Sequence, residues 1–171
     1  MSQHPSNSMV QCRIEREMIS YLEKHHPDWR QIDWYDLCAG KELALRVKPD
    51  AVWRDGEGVI IIAECYARIG KLKSGHRCKI ATDILKLFIL RDEFDKKEPL
   101  RLILVVPDDL GSQLEDNDWI SMVIRKESML VKVPLSDEQH LKLINAVKLQ
   151  GEGQSHSVKP YLNPNVQEIL K

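Results

Sequence analysis

Between Val47 and Tyr66, two apolar runs rich in Val, Ile and Trp flank the tripeptide Gly56-Glu57-Gly58. This is the pattern of a β-hairpin closed by a short glycine-containing loop. With those three residues in the loop, Asp55 pairs with Val59, and every further pair has position numbers of the same sum. Asp50 then falls opposite Glu64. Opposite residues of an antiparallel pair share a face, with Cβ atoms about 4.5 to 5.5 Å apart, so the two carboxylates repel unless a cation lies between them. The run Val59-Ile60-Ile61-Ile62-Ala63-Glu64 is apolar on both faces and reads as a central strand, where an unpaired charge is costly. A divalent metal would resolve the conflict. A slip of one residue would instead turn Asp50 to the other face, and either acid could then cap the sheet edge near solvent.

The segments around the hairpin carry helical and strand periods. Val10, Ile14, Met18, Tyr21 and Leu22 recur at helical spacing between Ser8 and His25, and His26-Pro27 ends that helix, because a residue before proline avoids helical geometry. Glu17 sits on the border of the apolar face, Glu15 borders its other edge, and Glu23 lies opposite. Residues 27–41 read as a loop with a short helical turn. Glu42–Val47 alternates as a first strand, and Pro49 breaks or bulges the pairing just before Asp50.

After Glu64 comes the most basic run of the chain, Cys65–Lys79, which holds Arg68, Lys71, Lys73, Arg77 and Lys79 and no acid. It leads into a helix over Gly75–Leu90, with Ile80, Ile84, Leu87 and Phe88 as its buried stripe. His76, Lys79, Asp83 and Lys86 share another face, which reads either as a solvated charged stripe or, starting only a few residues past Glu64, as a surface that meets a phosphate backbone. Leu100–Val106 is a buried strand ended by Pro107, and strand, helix, strand in that order implies a right-handed crossover to a parallel neighbour. Residues 108–118 read as an acidic loop and Ser128–Pro134 as a strand. Ser136 with Gln139 forms a capping-box pattern for a helix to Leu149, and Gly151–Pro164 reads as a linker.

Composition narrows the classes. With 43% hydrophobic and 30% charged residues in 171, the chain has the makeup of one soluble domain, and no apolar run approaches membrane-spanning length. Met1–Ser8 lacks the basic and apolar regions of a signal peptide; a cytoplasmic location without membrane association is expected. Cys12, Cys38, Cys65 and Cys78 are too widely spaced for a structural zinc site and are expected to be reduced thiols. A net charge of -1 excludes nucleic-acid binding through bulk charge, so any such binding needs a local patch.

Pro49-Asp50, a hairpin, and then Glu64 closing an apolar strand resemble the PD-(D/E)XK, or restriction-endonuclease-like, nuclease superfamily. The resemblance spans roughly residues 9–107. It implies an α/β fold with a mixed central sheet, an antiparallel hairpin plus a parallel crossover strand, flanked by helices. The chain would be a single domain over 1–171, with a flexible lead-in at 1–8, added strands and a helix over 108–149, and a tail at 150–171. It further implies a metal-dependent nuclease acting on DNA in restriction, repair or phage defence, with Mg2+ or Mn2+ held by Asp50, Glu64, the main-chain carbonyl of Cys65 and Glu17 from the first helix. The sequence departs from the family at Tyr66, which stands where the family has its lysine. A phenol with a pKa near 10 is a poor substitute for an ammonium. Lys79 is the favoured replacement, since a catalytic lysine can sit on that helix in the family, and Lys48, two residues before Asp50, is the other candidate.

Arg68, Lys71, Lys73, His76, Arg77 and Lys86 are the expected nucleic-acid contacts. A catalytic core without a helix-turn-helix or zinc finger would draw specificity from a homodimer or a larger complex. The competing reading keeps the fold without turnover, as a module that binds nucleic acid or a partner protein.

Overall fold

The computed structural model describes residues 7–39, 47–92, 94, 98–115 and 118–155. Helix α1, Asn7–His25, is followed by a two-residue strand β1, Arg30–Gln31, and a single-turn helix α2, Trp34–Leu37. Strands β2, Ala51–Arg54, and β3, Ile60–Cys65, form the hairpin. Helix α3, Ser74–Asp92, crosses to β4, Leu100–Pro107, and helices α4, Asp108–Gln113, and α5, Trp119–Lys126, lead to β5, Leu130–Val133. Helix α6, Asp137–Ser155, closes the described chain. The sheet runs β1-β2-β3-β4-β5, antiparallel across β1-β2-β3 and parallel across β3-β4-β5. This is the mixed α/β sheet flanked by helices that the sequence implied.

The hairpin register agrees with the equal-sum pairing: Ala51 faces Ala63, Val52 faces Ile62, Trp53 faces Ile61 and Arg54 faces Ile60. Its loop is held by Asp55, whose Oδ1 accepts from the amides of Glu57 at 3.0 Å and Val59 at 2.8 Å. Gly58 has φ +87, a left-handed conformation in which glycine avoids the penalty a side chain would meet. Every residue of β3 is buried, as a strand with neighbours on both sides and helices on both faces requires.

Alternation along the strands sorts two cores. Val52, Ile60, Ile62, Leu102 and Leu104 face Ile80, Ile84, Leu87 and Ile124 of α3 and α5. On the other face, Trp53, Ile61, Ala63, Ile103 and Val105 meet Ile14, Met18 and Leu22 of α1 and Leu143 of α6. Trp53, fully buried, satisfies its indole N–H on Glu23 Oε1 at 3.1 Å. The capping box at α6 is formed as expected: the Ser136 amide donates to Gln139 Oε1 at 2.8 Å, and the Gln139 amide to Ser136 Oγ at 3.3 Å.

Three local expectations need correction. The segment 108–118 contains helix α4 rather than only a loop; Asp108 and Asp109 stand in its first turn, where acids favour the helix dipole. Helix α6 continues to Ser155, past Leu149 and into the expected linker. The 27–41 segment contributes an edge strand as well as a turn of helix. The expected first strand lies outside the described residues except for Val47, which is in neither strand nor helix. No helix among the described residues is long and apolar enough to cross a membrane.

Candidate carboxylate and lysine site

The site forms where the hairpin ladder stops. Beyond Ala51, the Asp50 amide donates to the Ala63 carbonyl at 3.0 Å, and Asp50 Oδ2 accepts the Cys65 amide at 2.8 Å. The aspartate side chain thus supplies the acceptor for the amide of the last β3 residue, just before the start of β2. Asp50 lies one residue before β2, on the face of Val52, and its charge acts directly on Glu64.

Glu64 is only 2% exposed. Its side chain shares the β3 face of Ile60 and Ile62 and meets α3, where Lys86 Nζ lies 2.6 Å from Oε1. That approach pairs the buried carboxylate with a cation at Oε1. Burial, reinforced by Asp50 and partly offset by Lys86, pushes the Glu64 carboxyl up to about 7. The desolvation of a buried carboxylate therefore outweighs its nearest cation.

One turn before Lys86, Asp83 is 3% exposed. Its Oδ1 is paired with Lys79 Nζ, and its Oδ2 is buried without a donor. Burial raises the Asp83 carboxyl, with Lys79 opposing and Asp50 adding to the rise. Burial alone would lower Lys79, but its bond to Asp83 and the fields of Glu64 and Asp50 raise it instead. Lys79 also lies 6.0 Å from the centroid of the Tyr66 ring. Burial raises the Tyr66 phenol, against Arg68 and Lys79, so Tyr66 stays neutral and supplies no charge.

The carboxylate brought by α1 is Glu15, not Glu17. Glu15 Oε1 accepts from the Ala67 amide at 3.2 Å and from Gln11 at 3.1 Å. Burial raises its carboxyl, and Asp50 adds to the rise. Glu17 is turned to α6, where it accepts from Gln139 at 2.7 Å while also pairing with Arg13 at 3.1 Å. Both glutamates border the apolar stripe; the packing of α6 against α1 decides which one reaches past the end of β3.

The set Glu17, Asp50 and Glu64 is therefore not assembled, and among the described residues no three His, Cys, Asp or Glu side chains are disposed to hold a metal ion. What is assembled is a charge imbalance. Asp50 acts on Glu15, Glu64 and Asp83, and the lysines that act on these acids are Lys79 and Lys86.

The expected nucleic-acid contacts divide. Lys71 and Lys73 are exposed. Arg77 is paired with Asp118, and Lys86 is committed to Glu64. Arg68 is half-buried, and its charge acts on Tyr66 and His76. His76 Nδ1 accepts from the Lys73 amide at 3.2 Å, and burial, with Arg68 and Lys73, lowers its pKa. Lys48 is exposed and stands 5.4 Å from the centroid of the Tyr35 ring.

Sequence reasoning missed Asp83 as a buried member of the site and Lys86 as the partner of Glu64. A signal for Asp83 was present: it stands three residues after Ile80 and four before Leu87, within the apolar stripe. Comparison with known proteins gives no matching family model, no matching curated protein and no matching solved structure.

Proposed function

We propose that the protein is a metal-dependent nuclease that hydrolyses DNA phosphodiester bonds at this cluster. The observation that carries the reading is Asp83 Oδ2, a buried carboxylate oxygen without a hydrogen-bond donor, beside Asp50 and the buried Glu64 on a face where carboxylates outnumber ammoniums. Buried acceptors in such surroundings call for a cation or a proton. An all-oxygen donor set suits magnesium or manganese, and magnesium keeps several of its waters, so few protein ligands suffice.

Asp50, Glu64 and the main-chain carbonyl of Cys65 would hold the ion, which supplies Lewis acidity and acidifies bound water. The remaining work belongs to the chain. Lys79, kept protonated by Asp83, offers preorganised positive charge to a phosphate. Lys86 positions the Glu64 carboxyl. Lys71 and Lys73 contribute salt-dependent contacts to the nucleic-acid backbone.

A second reading, a nucleic-acid-binding or protein-interaction module without turnover, draws on the pairing of Lys86 with Glu64 and of Lys79 with Asp83, which partly neutralises the acids without metal. Incubation of plasmid DNA and of single-stranded DNA with the purified protein separates the two. The nuclease reading expects cleavage in magnesium or manganese that stops on adding chelator. Lys79→Ala should then cut the rate by about two to three powers of ten at nearly unchanged affinity. Lys73→Ala should weaken affinity and flatten its salt dependence by about one unit of slope, with cleavage at saturation preserved. Retained binding without cleavage in the unmutated protein would favour the module.

A further inference from the structure

A second concavity opens directly on the cluster. It is a cleft of about 310 Å³ between β1, α2 and the start of β2, lined by Gln31, Asp33, Trp34, Lys48 and Asp50 among others. Its volume lies at the small end of ligand clefts, and its wall carries several polar side chains. Asp50 belongs both to this cleft and to the carboxylate cluster, so a ligand seated here would be continuous with one held at Glu64.

Next in sequence to the cleft residue Trp34 stands Tyr35, 52% exposed. The local structure fixes it there. Asp33 caps α2, its Oδ1 accepting from the Tyr35 amide at 2.8 Å and the Asp36 amide at 3.2 Å. Trp34 is buried, with its ring 6.3 Å from that of Phe94. The next side chain along this anchored turn is thereby left at the surface. Lys48, from the cleft wall, places its ammonium over the Tyr35 ring. An exposed aromatic ring held on an anchored turn, a lysine on that ring, and donors and acceptors lining an adjoining narrow cleft match one ligand chemistry. That chemistry is a flat heteroaromatic group with a polar edge and a phosphate attached.

We infer that this cleft is a nucleobase subsite, resting on the nuclease reading above, and that the substrate is therefore an unpaired nucleotide: a single strand, a frayed end or a flap. The base stacks on Tyr35, its edge meets the polar groups of Gln31 and Asp33, and Lys48 takes an adjoining phosphate. A base inside a duplex has both faces stacked and its pairing edge occupied, so it cannot use this surface without leaving the helix.

The test measures binding in chelator, where cleavage is absent, by fluorescence anisotropy of three labelled probes: a thymidine single strand, the same strand with abasic residues, and a blunt duplex. The unmutated protein should prefer the thymidine strand to both others. Stacking is worth about 1–3 kcal/mol per base, so Tyr35→Ala should weaken binding of the thymidine strand roughly 5- to 150-fold while leaving the abasic strand unaffected. Tyr35→Phe, which keeps the ring, should retain the preference. Melting curves of both variants verify that this exposed position leaves the fold unchanged. Equal binding of all three probes, or an equal loss for thymidine and abasic strands in Tyr35→Ala, overturns the subsite. If magnesium-dependent cleavage persists alongside such a result, the subsite alone falls. If no probe binds and no DNA is cleaved, the nuclease reading falls and the subsite with it.

Discussion

Replacing Glu64 by glutamine removes the charge that burial opposes while keeping the side chain's shape. In the folded metal-free protein the Glu64 carboxyl is raised from 4.5 to about 7, so between those values the folded state holds a proton that the unfolded chain has released. Stability from this group is thus complete below about pH 4.5 and is lost as pH rises through about 7. The full loss amounts to about 3 kcal/mol, because each tenfold change in proton affinity is worth about 1.4 kcal/mol. The glutamine variant has no such proton to lose. Lys86, freed from Glu64, retains a side chain 26% exposed and can turn its ammonium to water. In denaturant titrations without metal, the variant should match the unmutated protein near pH 4.5 and exceed it by about 3 kcal/mol near pH 8, with the gap opening through the interval. The raised carboxyls of Glu15 and Asp83 have the same sign but are common to both proteins. A pH-independent difference, or a glutamine variant less stable at pH 8, would refute the assignment of Glu64 as a buried, destabilising charge.

Two further substitutions test neighbouring groups. Asp50→Asn keeps a carbonyl oxygen that can accept the Cys65 amide; its melting temperature without metal should be unchanged or higher, while stabilisation by added magnesium, read by the same melting curves, disappears. Gly58→Ala places a side chain at φ +87 with nothing within 4 Å to clash, so it should cost about 1 kcal/mol in denaturant titrations through backbone strain alone.

Much of this was legible because the hairpin signals are local. The Gly-Glu-Gly loop and the apolar run of β3 set the register, and the register set the neighbourhood of Asp50 and Glu64. The helical periods of α1 and α3 were equally plain. What escaped depends on distant packing. Glu15 and Glu17 both border the stripe of α1, and only Gln139, far along the chain on α6, shows which one is turned away. The face with Lys79, Asp83 and Lys86 read as exposed because it is charged; the sheet beneath it buries Asp83 and directs Lys86 onto Glu64. Strand β1 consists of Arg30 and Gln31 alone, too short for a period and polar on both faces. Six residues of α4 beginning Asp-Asp carry too little apolar pattern to distinguish a helical turn from a loop.

The central claim is that the carboxylates around Glu64 form a cation site at which phosphodiesters are cleaved. Calorimetric titration of the unmutated protein with manganese tests it most directly, with Asp50→Asn and Glu64→Gln titrated alongside. Saturable binding in the unmutated protein, lost in both variants although each remains folded, is the predicted result. Absence of binding in the unmutated protein, or binding that survives both substitutions, would contradict the claim.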